Sequence, residues 1–107
     1  MTHKMFTKIT DWQRETFPHS TPLSRVRHLL TEVKELKFEL QQQQHLPTDE
    51  EAVLSEFADC FILLFGAAES YGMDYSEICE CIHRKMKINK ERKWNKPDKH
   101  GVVNHIK

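Results

Sequence analysis

Punctuation is the feature that most limits what this chain can fold into. In 107 residues there are three Gly and four Pro. They fall at the ends of apolar-periodic segments, where helices stop and start. A short helix is expected over about residues 6–17, stopped by Pro18. Thr21-Pro22 has the form of an N-cap followed by a first-turn proline. It opens a second helix to about Gln43, where the polar run 41–44 carries its end into solvent. Pro47 and the Thr48-x-x-Glu51 capping box restart the chain. A third helix runs over about 49–71 and ends at Gly72, a natural left-handed cap. Asp74-x-x-Glu77 caps a fourth, reaching about Trp94. Residues 95–107, with Pro97 and Gly101, read as an extended tail. No stretch alternates with period two over more than a few residues, and no segment repeats. The expectation is one all-α domain over 1–107, a bundle of three long helices and a short one.

The longest apolar run, Cys60 to Ala68, is about half of what a bilayer-spanning helix needs. The opening Met1-Thr2-His3-Lys4 does not resemble a secretory leader. Three Cys with no CxxC pair fit a reducing compartment. A cytoplasmic location is therefore expected.

Sixteen Lys and Arg balance sixteen Asp and Glu, which excludes a broad basic coat for a nucleic-acid strand. The balance is uneven along the chain. Residues 83–107 hold nine Lys and Arg against Glu91 and Asp98, a net +7, so residues 1–82 carry −7. A solvated charged helix and polar tail would account for this. So would a site where acidic groups hold cations and basic groups hold a polyanion.

The carboxylates favour the second account. On the second helix, Leu23, Val26, Leu30, Val33 and Leu40, with Leu29 and Leu36 beside them, recur at three and four. Glu32 and Glu35 share another face with Glu39 and His28, about 130° from the apolar stripe at 100° per residue. Taken alone, that acidic stripe is solvent-facing. On the third helix, however, Glu56 and Asp59 flank and enter Phe57-Ala58-Asp59-Cys60-Phe61-Ile62-Leu63-Leu64-Phe65, apolar almost all round. A carboxylate there is expected to be partly buried, and it then needs a cation or must lose its charge. Residues 49–71 contain no Lys or Arg. Two i,i+3 carboxylate pairs supply hard oxygen ligands, which suit Mg²⁺ or Mn²⁺. Zinc is disfavoured, because Cys79 and Cys81 point to different sides of a helix. Glu80-x-x-His83 supplies half of a di-iron motif, and such a site needs two.

At the basic end, Lys85, Asn89 and Arg92 fall at i, i+4 and i+7, one face of the fourth helix. A Lys charge, an amide and an Arg fork are what a phosphate chain requires. Trp94 is placed to stack on a base or to cover the bundle end, and Trp12 and Phe17 have the same two options.

Glu32-x-x-Glu35, a twenty-residue gap, Glu56-x-x-Asp59 and then Lys85-x-x-x-Asn89-x-x-Arg92 together resemble the MazG-like all-α nucleoside triphosphate pyrophosphohydrolases. Further segments resemble their short, phage-type dATP/dGTP diphosphohydrolase branch (MazZ-like). These are Trp12, Thr16-Phe17-Pro18, Thr21-Pro22, His28-Leu29-Leu30, Lys87-x-Asn89-Lys90-x-Arg92-Lys93-Trp94 and Asp98-x-x-Gly101-Val102-Val103. The resemblance covers about residues 10–104. Lys34 departs from the acidic residue common between the two glutamates.

The resemblance implies cleavage between the α and β phosphates, giving a monophosphate and pyrophosphate, in a homodimer or homotetramer. A phage version acts on guanine nucleotides, so dGTP is the first expected substrate, then dATP or another dNTP. Glu32, Glu35, Glu56 and Asp59 are the expected ligands of two or more Mg²⁺ or Mn²⁺ ions, with Glu32 or Glu35 helping to deprotonate water. Lys85 and Arg92 are expected to neutralise the pyrophosphate, Asn89 to orient an oxygen and Trp94 to contact substrate. Glu39 is a reserve ligand and His28 a supporting residue. The alternatives are a non-catalytic helical interaction module and an inactive nucleotide sensor.

Overall fold

The computed structural model describes residues 1–43 and 50–106. Pro47 and Thr48, on which the first capping box rests, lie outside them. Among the described residues there are four helices: α1 His3–Thr16, α2 Pro22–Gln43, α3 Glu50–Tyr71 and α4 Tyr75–Glu91. None of the helices, among the described residues, is long and apolar enough to cross a membrane. The chain forms two compact units, residues 1–75 and 76–107.

In the first unit, the local signals act as the caps suggest. Thr2 starts α1 three residues earlier than expected, its hydroxyl accepting from Met5 N at 3.1 Å. Phe17 N donates to Gln13 O at 2.8 Å and closes that helix before Pro18. Thr21 and Ser24 cap α2 reciprocally: Ser24 N reaches Thr21 Oγ1 at 3.0 Å, and Thr21 N reaches Ser24 Oγ at 2.9 Å. Gly72, at φ 117°, takes the left-handed conformation that ends α3 and is costly for other residues.

α2 and α1 both pack on α3. Arg25 lies against Gly66 and Glu32 close to Glu56, so α2 and α3 run antiparallel. α1 contributes Phe6, Thr10 and Gln13, one face at i, i+4 and i+7. Phe6 meets Phe65 edge-on at 6.2 Å. The fully buried Gln13 donates from Nε2 to Ile62 O at 2.6 Å and accepts from Arg25 Nη1 at 3.0 Å. It fits because Gly66 has no side chain: a Cβ there would overlap the Gln13 amide. Gly66→Ala should therefore cost about 1–3 kcal/mol, the usual range for overpacking. Thermal denaturation checks this, and an unchanged melting temperature would mean the contact is slack.

One expectation is reversed. The stripe of α2 that faces α3 is Arg25, Leu29, Glu32, Leu36 and Glu39, while Leu23, Val26, Leu30, Val33 and Leu40 are exposed on the single chain, Leu30 by 55%. α3 is similar: Val53, Leu63, Gly66 and Ala67 are buried, whereas Leu54, Phe57, Phe61 and Leu64 are exposed. The inward stripe of α2 thus mixes Glu32 and Glu39 with Leu29 and Leu36, while a second apolar stripe on each helix stays outside.

The second unit holds the rest of α4 and the tail. α4 ends at Glu91, three residues earlier than expected. The tail is not a single extended run. It doubles back, with an antiparallel bridge between Trp94 and His105 and bonds from Asn95 N to Asn104 O (2.8 Å) and Ile106 N to Lys93 O (2.7 Å). Asp98 makes the turn: its Oδ1 accepts from His100 N and Val102 N at 2.8 and 2.9 Å, and Gly101 sits at φ 78°. Aspartate in this role bonds its own following backbone, a signal that competes with helix continuation.

Candidate active site

The α2–α3 register brings the carboxylates together. One oxygen from each of Glu32, Glu35 and Glu56 lies within 4.8 Å of the others. Each i,i+3 pair comes from one helix and shares a face, and antiparallel packing sets the pairs opposite each other. Asp59 is exposed and lies outside that tight group, yet its charge acts on Glu32, Glu56 and Cys60. Glu39 is near enough to act on Glu56, and it lines a groove with Lys34, Glu35, Phe38 and Glu56.

This much negative charge leaves a signature. The Glu32 side chain is 16% exposed. Burial first, then hydrogen bonding to Glu35 and the charges of Glu35, Asp59 and Glu56, push its carboxyl up to about 7. Glu56 is raised too, by burial and then by the Glu35 and Asp59 charges, against a hydrogen bond to Glu32 that lowers it. Its Oε2 is buried with no hydrogen-bond partner. Burial and the four neighbouring carboxylates raise the Cys60 thiol, which disfavours its thiolate form. Among the described residues, the basic group within ion-pair reach of the cluster is His28, whose Nε2 is 3.5 Å from Glu32 Oε1. A hard divalent cation satisfies such an oxygen set better than protons do.

A cleft of about 120 Å³ opens beside the cluster, lined by Trp12, Phe17, His28, Glu32, Asp59, Ile62 and Leu63. Flat rings, aliphatic chains and two carboxylates make up its walls. Trp12 meets Phe17 edge-on at 5.6 Å, and Phe17 meets His28 edge-on at 6.2 Å. Spacing left the aromatics' role open. Ile62 and Leu63 were legible only as apolar neighbours of Asp59.

Arg25, one turn before Leu29 on the inward stripe of α2, is 5% exposed, and its Nε finds no partner. The Gln13–Arg25 pair has no sequence signature beyond the small residue at Gly66.

In the second unit, Arg92 Nη1 donates to Asn89 Oδ1 at 3.4 Å, and Trp94 Nε1 donates to Asn89 O at 3.1 Å. Trp94 also meets His105 edge-on at 5.9 Å. Asn89, Arg92 and Trp94 are thus grouped, with Lys85 exposed on α4. Arg92 falls just past the helix rather than within it, because the doubled-back tail draws the chain out of helical geometry at Glu91.

A small all-α fold in which three carboxylates, Glu32, Glu35 and Glu56, converge from two antiparallel helices with Asp59 beside them has the form of a site that could hold a metal ion. The chain belongs to the dATP/dGTP pyrophosphohydrolase family, whose model matches residues 5–107. It is accordingly an enzyme, a nucleoside triphosphate diphosphatase of the MazG-like type. Among solved structures it is similar to the cyanophage S-2L MazG-like pyrophosphohydrolase bound to dGDP and three catalytic Mn²⁺ ions per active site. The identity is 27% over 100% of this chain and 99% of that one, with a TM-score of 0.75. No curated protein matches the chain.

Proposed function

We propose that the enzyme hydrolyses a purine deoxynucleoside triphosphate, dGTP in first place, to the monophosphate and pyrophosphate, using Mg²⁺ or Mn²⁺ held by Glu32, Glu35, Glu56 and Asp59. The observation that carries the reading is the convergence of Glu32, Glu35 and Glu56 oxygens within 4.8 Å, with no Lys or Arg within ion-pair reach of them among the described residues. The cyanophage relative's dGDP and three Mn²⁺ ions support the substrate class and two or more ions per site. Bound metal supplies charge neutralisation at the phosphates and a water of lowered pKa.

The chain's own groups do the rest. Glu32 or Glu35 accepts the proton of the attacking water. Lys85 and Arg92 offset charge on the leaving pyrophosphate, Asn89 orients an oxygen and Trp94 contacts substrate. The aromatic cleft at Trp12 and Phe17 receives the base, since a planar ring fits between such walls and leaves its phosphates at the carboxylates. dATP and other dNTPs are the alternatives, because base choice rests on a few hydrogen bonds at the base edge.

Incubating the protein with each canonical dNTP and Mn²⁺ or Mg²⁺ tests this. Monophosphate and pyrophosphate are expected, fastest from dGTP. Release of orthophosphate and a diphosphate would refute α–β cleavage.

The working unit is a homodimer or homotetramer. Leu23, Val26, Leu30, Val33 and Leu40 on α2 and Leu54, Phe57, Phe61 and Leu64 on α3 follow a three-four spacing and are exposed on one chain, as in the seam of a helical bundle. Leu30→Lys combined with Phe61→Lys should shift the protein toward monomer in sedimentation experiments and lower its melting temperature. An unchanged mass would place the interface elsewhere.

A further inference from the structure

His28 touches both parts of the site. Its Nε2 is 3.5 Å from Glu32 Oε1, one turn further along α2. Its ring lies edge-on to Phe17, with centroids 6.2 Å apart and planes at 86°. Phe17 stands in the same relation to Trp12 at 5.6 Å and 86°. A continuous chain of contacts thus runs from the far wall of the cleft to one carboxylate of the cluster, and all four side chains line that cleft.

The imidazole is not locked by packing. Its side chain is 48% exposed, against 16% for Glu32. Phe17 and whatever fills the cleft therefore decide where the ring rests. Glu32 is under strain of another kind: it faces Glu35, Glu56 and Asp59, and His28 is the basic group that can hold it in place. A side chain that sits against a ligand carboxylate as its polar partner can orient that ligand, and loss of such a partner commonly weakens metal affinity by about 10–100-fold.

We propose that His28 is a positioning residue that makes the carboxylate cluster respond to the base. A base in the cleft presses the imidazole against Phe17 and holds Nε2 on Glu32, so Glu32 is set for its cation when the cleft is filled. This rests on the pyrophosphohydrolase reading and adds a coupling to it. By linkage, base and metal must strengthen each other's binding by one common factor. A base that binds without reaching Phe17 and His28 then loses turnover as well as affinity, which sharpens discrimination beyond what cleft contacts alone supply.

The test uses full-length protein and deoxyguanosine, which carries a base and sugar but no phosphate to bind metal. Mn²⁺ affinity is measured by calorimetry with and without the nucleoside, and nucleoside binding is followed through the Trp12 indole resonance. In the wild type, saturating deoxyguanosine should raise Mn²⁺ affinity by about 5-fold or more, the lower end of measured couplings. In His28→Ala that linkage should disappear, although the nucleoside still shifts Trp12. His28→Gln, which keeps a donor for Glu32 but no ring for Phe17, should recover much of the Mn²⁺ affinity without the linkage. A role confined to folding would not separate the two variants in this way.

Equal Mn²⁺ affinity with and without deoxyguanosine in the wild type, or linkage that persists in His28→Ala, would overturn the proposal. Absence of a Trp12 shift in the wild type would overturn it too, since the cleft would not be the base site. Those failures leave dNTP turnover intact, whereas a wild-type chain that turns over no dNTP with Mn²⁺ refutes the pyrophosphohydrolase reading itself.

Discussion

Glu56→Gln should stop turnover and, in metal-free protein, raise the melting temperature. Both effects come from the same crowding. Glu56 has a buried oxygen with no partner, and the Glu35 and Asp59 charges bear on it. Without a cation those charges repel one another, so replacing one with an isosteric amide relieves the folded state. With a cation they are its ligands, and the same replacement removes charge where the triphosphate must be neutralised. A fall in kcat on the order of 10³-fold or more is expected, comparable to removing a principal electrostatic stabiliser. Asp59→Asn should act in the same direction with a smaller gain in metal-free stability, since Asp59 is exposed. Circular dichroism should show unchanged helicity in both variants. Near-wild-type turnover in both would remove these residues from the site, whatever their effect on stability.

The second large effect is an inversion of pH dependence by metal. Glu32 has a carboxyl raised to about 7 in the folded protein, from an ordinary 4.5. Between those values the folded state binds the proton more tightly than the unfolded chain does. Stability of the metal-free protein must therefore fall as pH rises through that window, and the penalty is complete above about 7. Saturating Mn²⁺ reverses the sign, because the cation needs the carboxylate and competes with the proton. Metal at 100 times its Kd adds about 2.7 kcal/mol, and this addition should shrink as the pH drops below 7. Melting curves from pH 5 to 8, in EDTA and in Mn²⁺, would show opposite slopes. Proton release on Mn²⁺ binding near pH 6.5, measured by calorimetry in two buffers of different ionisation enthalpy, provides an independent check. Parallel slopes with and without metal would mean that Glu32 is not a ligand.

Much of this was written into local residue order. Thr21-Pro22 opens α2 and Gly72 closes α3, each within a residue of its expected place, because caps and left-handed turns depend on side chains only a few positions away. The carboxylate pairs were legible for the same reason: two acids at i and i+3 share a helix face in any fold. The end of α4 was not, since Glu91 yields to a turn at Asp98 and a bridge between Trp94 and His105, contacts up to eleven positions apart. The buried Gln13–Arg25 pair was equally hidden. A glutamine twelve residues from an arginine has no reason to meet it until both pack on Gly66.

Helical periodicity told which side chains of α2 keep company, and hence that Glu32, Glu35 and Glu39 form one stripe and Leu23, Val26, Leu30 and Leu40 another. It could not say which stripe turns inward, because a helix rotated about its axis keeps the same periodicity. Packing against α3 resolved that, turning Glu32 and Glu39 inward beside Leu29 and Leu36 and leaving Leu23, Val26, Leu30 and Leu40 outside. Charge and chemistry of the site reside in the residue order. Its depth and the raised carboxyl at Glu32 arise from α2 laid against α3, and the aromatic cleft from Trp12 of α1 brought beside them, since burial and mutual repulsion exist only once the two acidic faces meet.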